Sequence, residues 1–218
     1  MKDNRSRSDI YLTATLIAVL LLKPVFEYYN SLGYFFGFYL LVLLASAYRD
    51  SHTSLVTRLP EVVTGVVALV CAWLHVLYPD AKGVLNLNLV AFSIFLFIHT
   101  VVMLRRVVYA KHVNRTTVLS CVNIYIFIGF LGACVACLIE LDLPGSYNIA
   151  SAPAGKLPEF HQFLYYSFVT LGTLGYGDVL PLNAFSQSLA IVLILVGQFY
   201  MAIVMALIIG KHLNGKMA

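Results

Sequence analysis

Six apolar runs, each near the ~20 residues that a helix needs to cross a bilayer, leave this chain few ways to fold. They cover about Asp9 to Phe26, Leu32 to Tyr48, Leu59 to Tyr78, Leu87 to Leu104, Val118 to Leu138 and Phe185 to Ile209. Hydrocarbon offers no water to backbone N–H and C=O groups, so spans of this kind must be helices that satisfy those groups internally. Composition agrees, with 61% of the 218 residues hydrophobic and 11% charged, where a soluble domain carries about 25% charged residues. The expected fold class is an all-α membrane protein of six transmembrane helices.

The net charge of +4 reads as topology, because the basic residues are scattered between apolar runs and form no stripe for nucleic acid. With the N-terminus inside, eleven Lys and Arg residues fall on cytoplasmic segments and only Lys23, Lys82 and Lys156 fall outside. The positive-inside rule then predicts a multi-pass protein of the plasma (cytoplasmic) membrane with both termini cytoplasmic. Basic residues precede the first run, yet no small-x-small cleavage site follows, so that run is expected to stay as a span. Tyr28, Tyr29, Tyr34, Tyr48 and Tyr78 lie near span ends, where interfacial aromatics belong. Pro60 suits the first turn of the third helix, where a missing N–H costs nothing.

Between the fifth and sixth spans lies Ile139 to Ala184, too polar to cross the membrane, and within it the stretch SFVTLGTLGYGDVLP, Ser167 to Pro181. Irregular backbone at membrane depth is tolerated only where protein buries it or water lines it. The pattern fits a short re-entrant helix, Phe160 to Leu171, followed by an extended return that lines a pore. Gly175 and Gly177 allow φ > 0, which a side chain resists, and alternating such residues with ordinary ones turns successive carbonyls to the same side.

In this stretch the chain resembles the potassium channel family, whose filter is written TVGYG and which stands here as TLGYGD, Thr173 to Asp178. The likeness extends to YYSFVTLGTLGYGD, with its aromatic pair before a serine, to Pro181, and to an inner helix from Gln187 to Gly210 with a hinge glycine at Gly197. It is good over about 118–210 and weak before. The resemblance implies that the carbonyls of Thr173, Leu174, Gly175 and Tyr176, the Thr173 hydroxyl and the Gly177 turn hold dehydrated K+ ions, with Tyr176 propping the filter from outside. Asp178, Tyr166 and Thr170 would support it, Tyr166 as hydroxyl partner of Asp178, since Val169 stands where some relatives carry a glutamate. Gly172 replaces a frequent threonine and Leu174 a frequent valine. In register with Gly197, Gln198, Met201 and Met205 are expected to face the cavity, with a constriction near Ala206 to Gly210. The bland alternative is that Gly197 only allows close helix packing. One filter copy per chain implies a homotetramer, with membrane lipids and permeating K+ as the other partners.

The implied division is a four-helix, voltage-sensor-like domain over 1–104, a cytoplasmic linker over 105–117, a pore domain over 118–210 and a short tail over 211–218. The pore domain comprises an outer helix at 118–138, a pore helix at 160–171, a filter at 173–178 and an inner helix at 185–210. No cytoplasmic ligand-binding domain is expected after the inner helix. Leu87 to Leu104 carries no Lys or Arg, Arg105 and Arg106 lie at its end, and the second and third spans are expected to offer no buried acid as counter-charge, with Asp50 and Glu61 at the cytoplasmic edge. Such a sensor lacks its charges, since each charge crossing 100 mV yields only about 2.3 kcal/mol. The first four spans then read as a structural collar or a ligand or lipid sensor, and the basic linker as an anchor among anionic headgroups.

Cys71, Cys121, Cys134 and Cys137 lie inside apolar runs and read as packing residues, including the C-x-x-C pair. His75 and His99 read as core residues, and His161 as the candidate for external pH sensitivity. Asn86, Asn88 and Asn123 could bond across helices. No HExxH, GxSxG or phosphate loop occurs, so an enzyme is not expected and no organic cofactor is implied. The function expected is passive K+ conduction without gating by a charged fourth helix. The alternatives are a nonselective monovalent cation channel and a non-conducting membrane scaffold or modulatory subunit.

Overall fold

A computed structural model describes residues 10–18, 20, 55–78, 81–110, 115–150 and 159–214. The second expected span, with Tyr28, Tyr29, Tyr34, Tyr48 and Asp50, lies outside the described residues. Residues 10–18, within the first expected span, are helical. The order that follows is α1 (Leu55–Leu77), α2 (Lys82–Tyr109), α3 (Arg115–Asp142), β1 (Tyr147–Ile149), α4 (Phe160–Leu171), β2 (Val179–Pro181) and α5 (Ala184–Asn214). Among the described residues, four helices are long and apolar enough to cross a membrane: Leu59–Leu77, Lys82–Tyr109, Thr116–Asp142 and Ala184–Gly210.

Consecutive helices pack on one another, α1 on α2 and α2 on α3, while α3 also meets α4 and α5. The shared core joins Leu16, Ala68 and Ala72 to Phe92, Phe95, Leu96 and Met103 of α2 and to Ile124, Phe127 and Phe130 of α3. Small residues let these helices approach closely, which matters where lipid tails are as apolar as leucine. All four cysteines are buried free thiols at such contacts. The opposite side of α1 exposes Val62, Val63, Val66, Val67, Val70 and Trp73, a surface that hydrocarbon solvates and water would not.

Three boundaries differ from the sequence reading. Helix α1 begins at Leu55, which makes Pro60 an interior residue rather than a first-turn one. The Thr64 hydroxyl donates to the Pro60 carbonyl at 2.6 Å. Helix α2 runs on through Arg105 and Arg106 to Tyr109, and α3 starts at Arg115. Both basic residues belong to the last turns of α2, where cations complement the helix dipole.

Glu61 is the larger correction. It lies near the start of its span as expected, but it is only 1% exposed. Its Oε1 lies 3.3 Å from His99 Nδ1 and its Oε2 lies 3.7 Å from Arg106 Nη2, so α1 does offer a buried acid to α2.

Candidate functional site

Helix α4 starts at a capping box, in which the Glu159 side chain accepts from the backbone of Gln162 and the Gln162 side chain accepts from the Glu159 N–H at 2.9 Å. Glu159 is also 3.1 Å from His161 Nδ1. Three contacts fix the helix sideways. The Ser167 hydroxyl donates to the Gly129 carbonyl of α3 at 2.7 Å. Phe168 meets Phe130 edge-on at 6.2 Å, and a methyl on Gly129 would fall on the Phe168 ring. Tyr147 of β1 packs edge-on against Phe163 at 5.4 Å and Tyr166 at 5.1 Å. Burial raises the phenol pKa of both Tyr147 and Tyr166.

The last turn of α4 closes on the loop. The Gly172, Thr173 and Leu174 N–H groups donate to the carbonyls of Phe168, Thr170 and Val169 at 2.9, 3.0 and 2.9 Å. Gly172 is tight for the same reason, since an added Cβ would lie 3.1 Å from the Phe168 carbonyl. Beyond it, φ is positive at every second residue: +58° at Thr173, +56° at Gly175 and +80° at Gly177. Two of these are glycines, for which that region is open. Thr173 is β-branched and strained there, at a cost of roughly 1–2 kcal/mol. Residues 172–178 are exposed on the single chain, with Leu174 61% and Tyr176 66% accessible. Behind the loop, Tyr166, Thr170, Thr173, Gly175, Gly177 and Ala190 contribute to a cavity of about 280 Å³.

Asp178 takes a partner other than the one expected. The Tyr165 hydroxyl, not that of Tyr166, donates to Asp178 Oδ2 at 2.6 Å, and the Tyr165 ring stacks on Tyr176 at 6.4 Å. Successive helical residues diverge by about 100°, so only one of two adjacent tyrosines can face the loop. Tyr166 turns instead into the packing against β1. The bond to Asp178 is the main reason that the Tyr165 phenol is pushed up to about 12.

A frame that the sequence reading missed holds the exit of the loop. Glu140, buried at the end of α3, accepts from the Gly145 N–H at 2.8 Å and the Tyr147 N–H at 3.0 Å. That anchors β1, which pairs antiparallel with β2, while the Ala150 N–H donates to the Asp178 carbonyl at 3.0 Å. The Ser146 carbonyl accepts from the Leu182 N–H at 2.8 Å and the Ser186 hydroxyl at 3.0 Å. The Asn183 amide donates to the Ser146 hydroxyl at 2.5 Å, and Asn183 Oδ1 caps α5 by accepting from the Ser186 N–H at 2.9 Å. An acid at a span end and the Asn183 to Ser186 spacing were the available signals.

Helix α5 is unbroken through Gly197. A methyl there would collide with the Leu171 carbonyl, so this glycine brings α5 against the end of α4. The packing alternative thus has a contact behind it. Gln198, Met201 and Met205 are exposed on the single chain, on the side of α5 that borders the buried stripe of Leu193, Gly197 and Val204.

The sequence model of a family described as "Ion channel" matches residues 144–211, from the turn before β1 through α4, the loop, β2 and most of α5. No curated protein and no solved structure matches the chain. The chain thus combines, among the described residues, four helices long and apolar enough to cross a membrane with a segment, 144–211, that is similar to an ion-channel family.

Proposed function

We propose that the chain forms a homotetrameric, potassium-selective channel in which Thr173, Leu174, Gly175, Tyr176 and Gly177 make the ion-binding filter. The observation that carries this is the alternation of positive φ at Thr173, Gly175 and Gly177. Alternating left- and right-handed residues aim successive carbonyls toward one line. Four such loops would replace the hydration shell of K+, the permeant substrate, with rings of oxygens. Exposure supports four copies: Leu174 and Tyr176 are open on one chain, and α5 exposes Val192, Phe199 and Ile203 on a face separate from that of Met201 and Met205. One of these faces would meet a neighbouring subunit and the other the water-filled cavity, with Ala206 to Gly210 as its constriction.

Membrane voltage has little to act on in α2, which carries no Lys or Arg between Leu87 and Leu104. Gating by a charged fourth helix is therefore not part of the proposal. The plasma membrane with cytoplasmic termini is the setting that the charge distribution supports.

The test is ion flux from purified protein in liposomes, K+ against Na+, with Ba2+ as blocker. Ba2+-sensitive flux favouring K+ is expected. Gly175→Ala and Gly177→Ala place a Cβ at φ of +56° and +80°, each straining the loop by about 1–2 kcal/mol, and selective flux should disappear while the protein still assembles. Unchanged selectivity in both variants refutes the filter assignment. Equal K+ and Na+ flux in the unmodified protein would establish a nonselective channel, and absence of flux under all conditions a modulatory subunit.

A further inference from the structure

Gly172 joins the last turn of α4 to the strained Thr173 and brings no side chain of its own. Of the three atoms nearest to the place where a Cβ would stand, the Phe168 carbonyl oxygen and Leu174 Cγ belong to α4 and to the loop itself. The third is the Tyr125 hydroxyl oxygen of α3, 4.0 Å away, an ordinary van der Waals distance for a methyl. A side chain from another helix therefore reaches the spot that residue 172 leaves bare.

A stripe of α3 places Tyr125 there. Cys121, Tyr125 and Gly129 recur every four residues and so share one face of the helix. The Gly129 carbonyl accepts from the Ser167 hydroxyl of α4 at 2.7 Å, and the Cys121 carbonyl accepts from the Tyr200 hydroxyl of α5. Between these two fixed points the Tyr125 ring lies against the ring of Tyr200, with centroids 5.9 Å apart. Gly197, three residues before Tyr200 on α5, lets that helix close on the Leu171 carbonyl. Gly172 is thus flanked by α5 through Leu171 and by α3 through Tyr125, and Tyr200 ties the two helices together beside it.

We propose that Tyr125 is a positioning residue for the filter: its hydroxyl stands in for the side chain that Gly172 lacks and, backed by Tyr200, holds residues 172–174 on the last turn of α4. The backbone hydrogen bonds of those residues close onto Phe168, Thr170 and Val169, and all three residues are exposed on the single chain. Exposed backbone bonds open locally at little cost unless something packs beside them, and the strain at Thr173 favours such opening. A loop already held in one geometry binds an ion without first having to be ordered, so the support acts on ion affinity. That last step rests on the filter reading; the support of residues 172–174 does not.

The test compares the full chain with Tyr125→Phe, which removes the hydroxyl and keeps the ring. Two quantities are measured in detergent: the K+ concentration that gives half of the K+-dependent rise in thermal midpoint, and hydrogen exchange at the amides of Gly172, Thr173 and Leu174. In Tyr125→Phe the half-effect concentration should rise about threefold or more, and the three amides should exchange faster by a similar factor, near the lower end of coupling between residues in contact. A merely destabilised protein would lose thermal midpoint equally at every K+ concentration and keep its half-effect concentration. Tyr200→Phe, which frees the backing ring from the Cys121 carbonyl, should act in the same direction and decides the matter if Tyr125→Phe does not fold. Unchanged exchange overturns the proposal, as does faster exchange with an unmoved half-effect concentration. If K+ does not stabilise the unmodified protein, the filter reading fails, and exchange at the three amides alone decides whether Tyr125 supports them.

Discussion

Replacing Glu140 with glutamine should loosen the frame around the loop exit while changing one atom type. The Glu140 oxygens accept from the Gly145 and Tyr147 N–H groups at 2.8 and 3.0 Å. Hydrogen bonds to a charged acceptor contribute about 1.5–3 kcal/mol each. Glutamine keeps one acceptor and turns an NH2 toward the other backbone N–H, which loses one bond and leaves facing donors, a further ~1–3 kcal/mol. Against this, a neutral amide is easier to bury than a carboxylate, which brings the expected net cost to about 2–4 kcal/mol. If the turn opens locally, hydrogen exchange in the peptide spanning 143–150 should speed by about 30- to 1,000-fold, at tenfold per 1.36 kcal/mol. Peptides from α2 should be unchanged. Exchange within threefold of the unmodified protein would refute the claim that Glu140 holds β1.

Two further outcomes follow from the geometry. Gly197→Ala should lower the thermal midpoint by an amount equivalent to about 1–3 kcal/mol of overpacking, because the methyl meets the Leu171 carbonyl, whereas Gly210→Ala has open space and should be neutral; equal effects at both sites would refute the packing role. Tyr165 should titrate near 12 by 13Cζ NMR, and Asp178→Asn should bring it back toward its ordinary value of 10.0. The sign is that of an acid whose neutral form the fold prefers: the contribution is complete below pH 10 and is lost as pH rises toward 12. An unmoved titration in Asp178→Asn would refute the pairing.

Spans three to six were legible because a membrane forces length and apolarity together: helices α2, α3 and α5 each contain an expected run, and α1 covers its run to within one residue. Their ends were not, since a helix can continue past the apolar stretch: α2 extends to Tyr109 because Arg105 and Arg106 can stay helical with their heads at the edge. The positive φ at Gly175 and Gly177 could be anticipated from residue type. That at Thr173 could not, because a threonine says nothing of left-handed backbone. Tyr165 and Tyr166 are chemically identical, and only helix phase decides which one reaches Asp178. The burial of Glu61 was not legible because the side chains it meets, His99 and Arg106, lie 38 and 45 positions further on. Pairings across that separation leave no local pattern.

The strain at Thr173 bears on why the loop has two supports. A β-branched residue at +58° persists only where its surroundings over-determine it. On its N-terminal side, three backbone hydrogen bonds tie residues 172–174 to the last turn of α4. On its C-terminal side, Asp178 is held twice, by Tyr165 through its carboxylate and by Ala150 through its carbonyl. Between these anchors, Gly175 to Gly177 make no hydrogen bond among the described residues, and the side chains of Leu174 and Tyr176 stand exposed. A backbone fixed at both ends in this way holds its middle residues in place without bonds of their own. The chain thus stores strain at one end of the loop, uses the Glu140 frame to prevent its release at the other, and leaves the intervening oxygens without a bond inside the chain among the described residues.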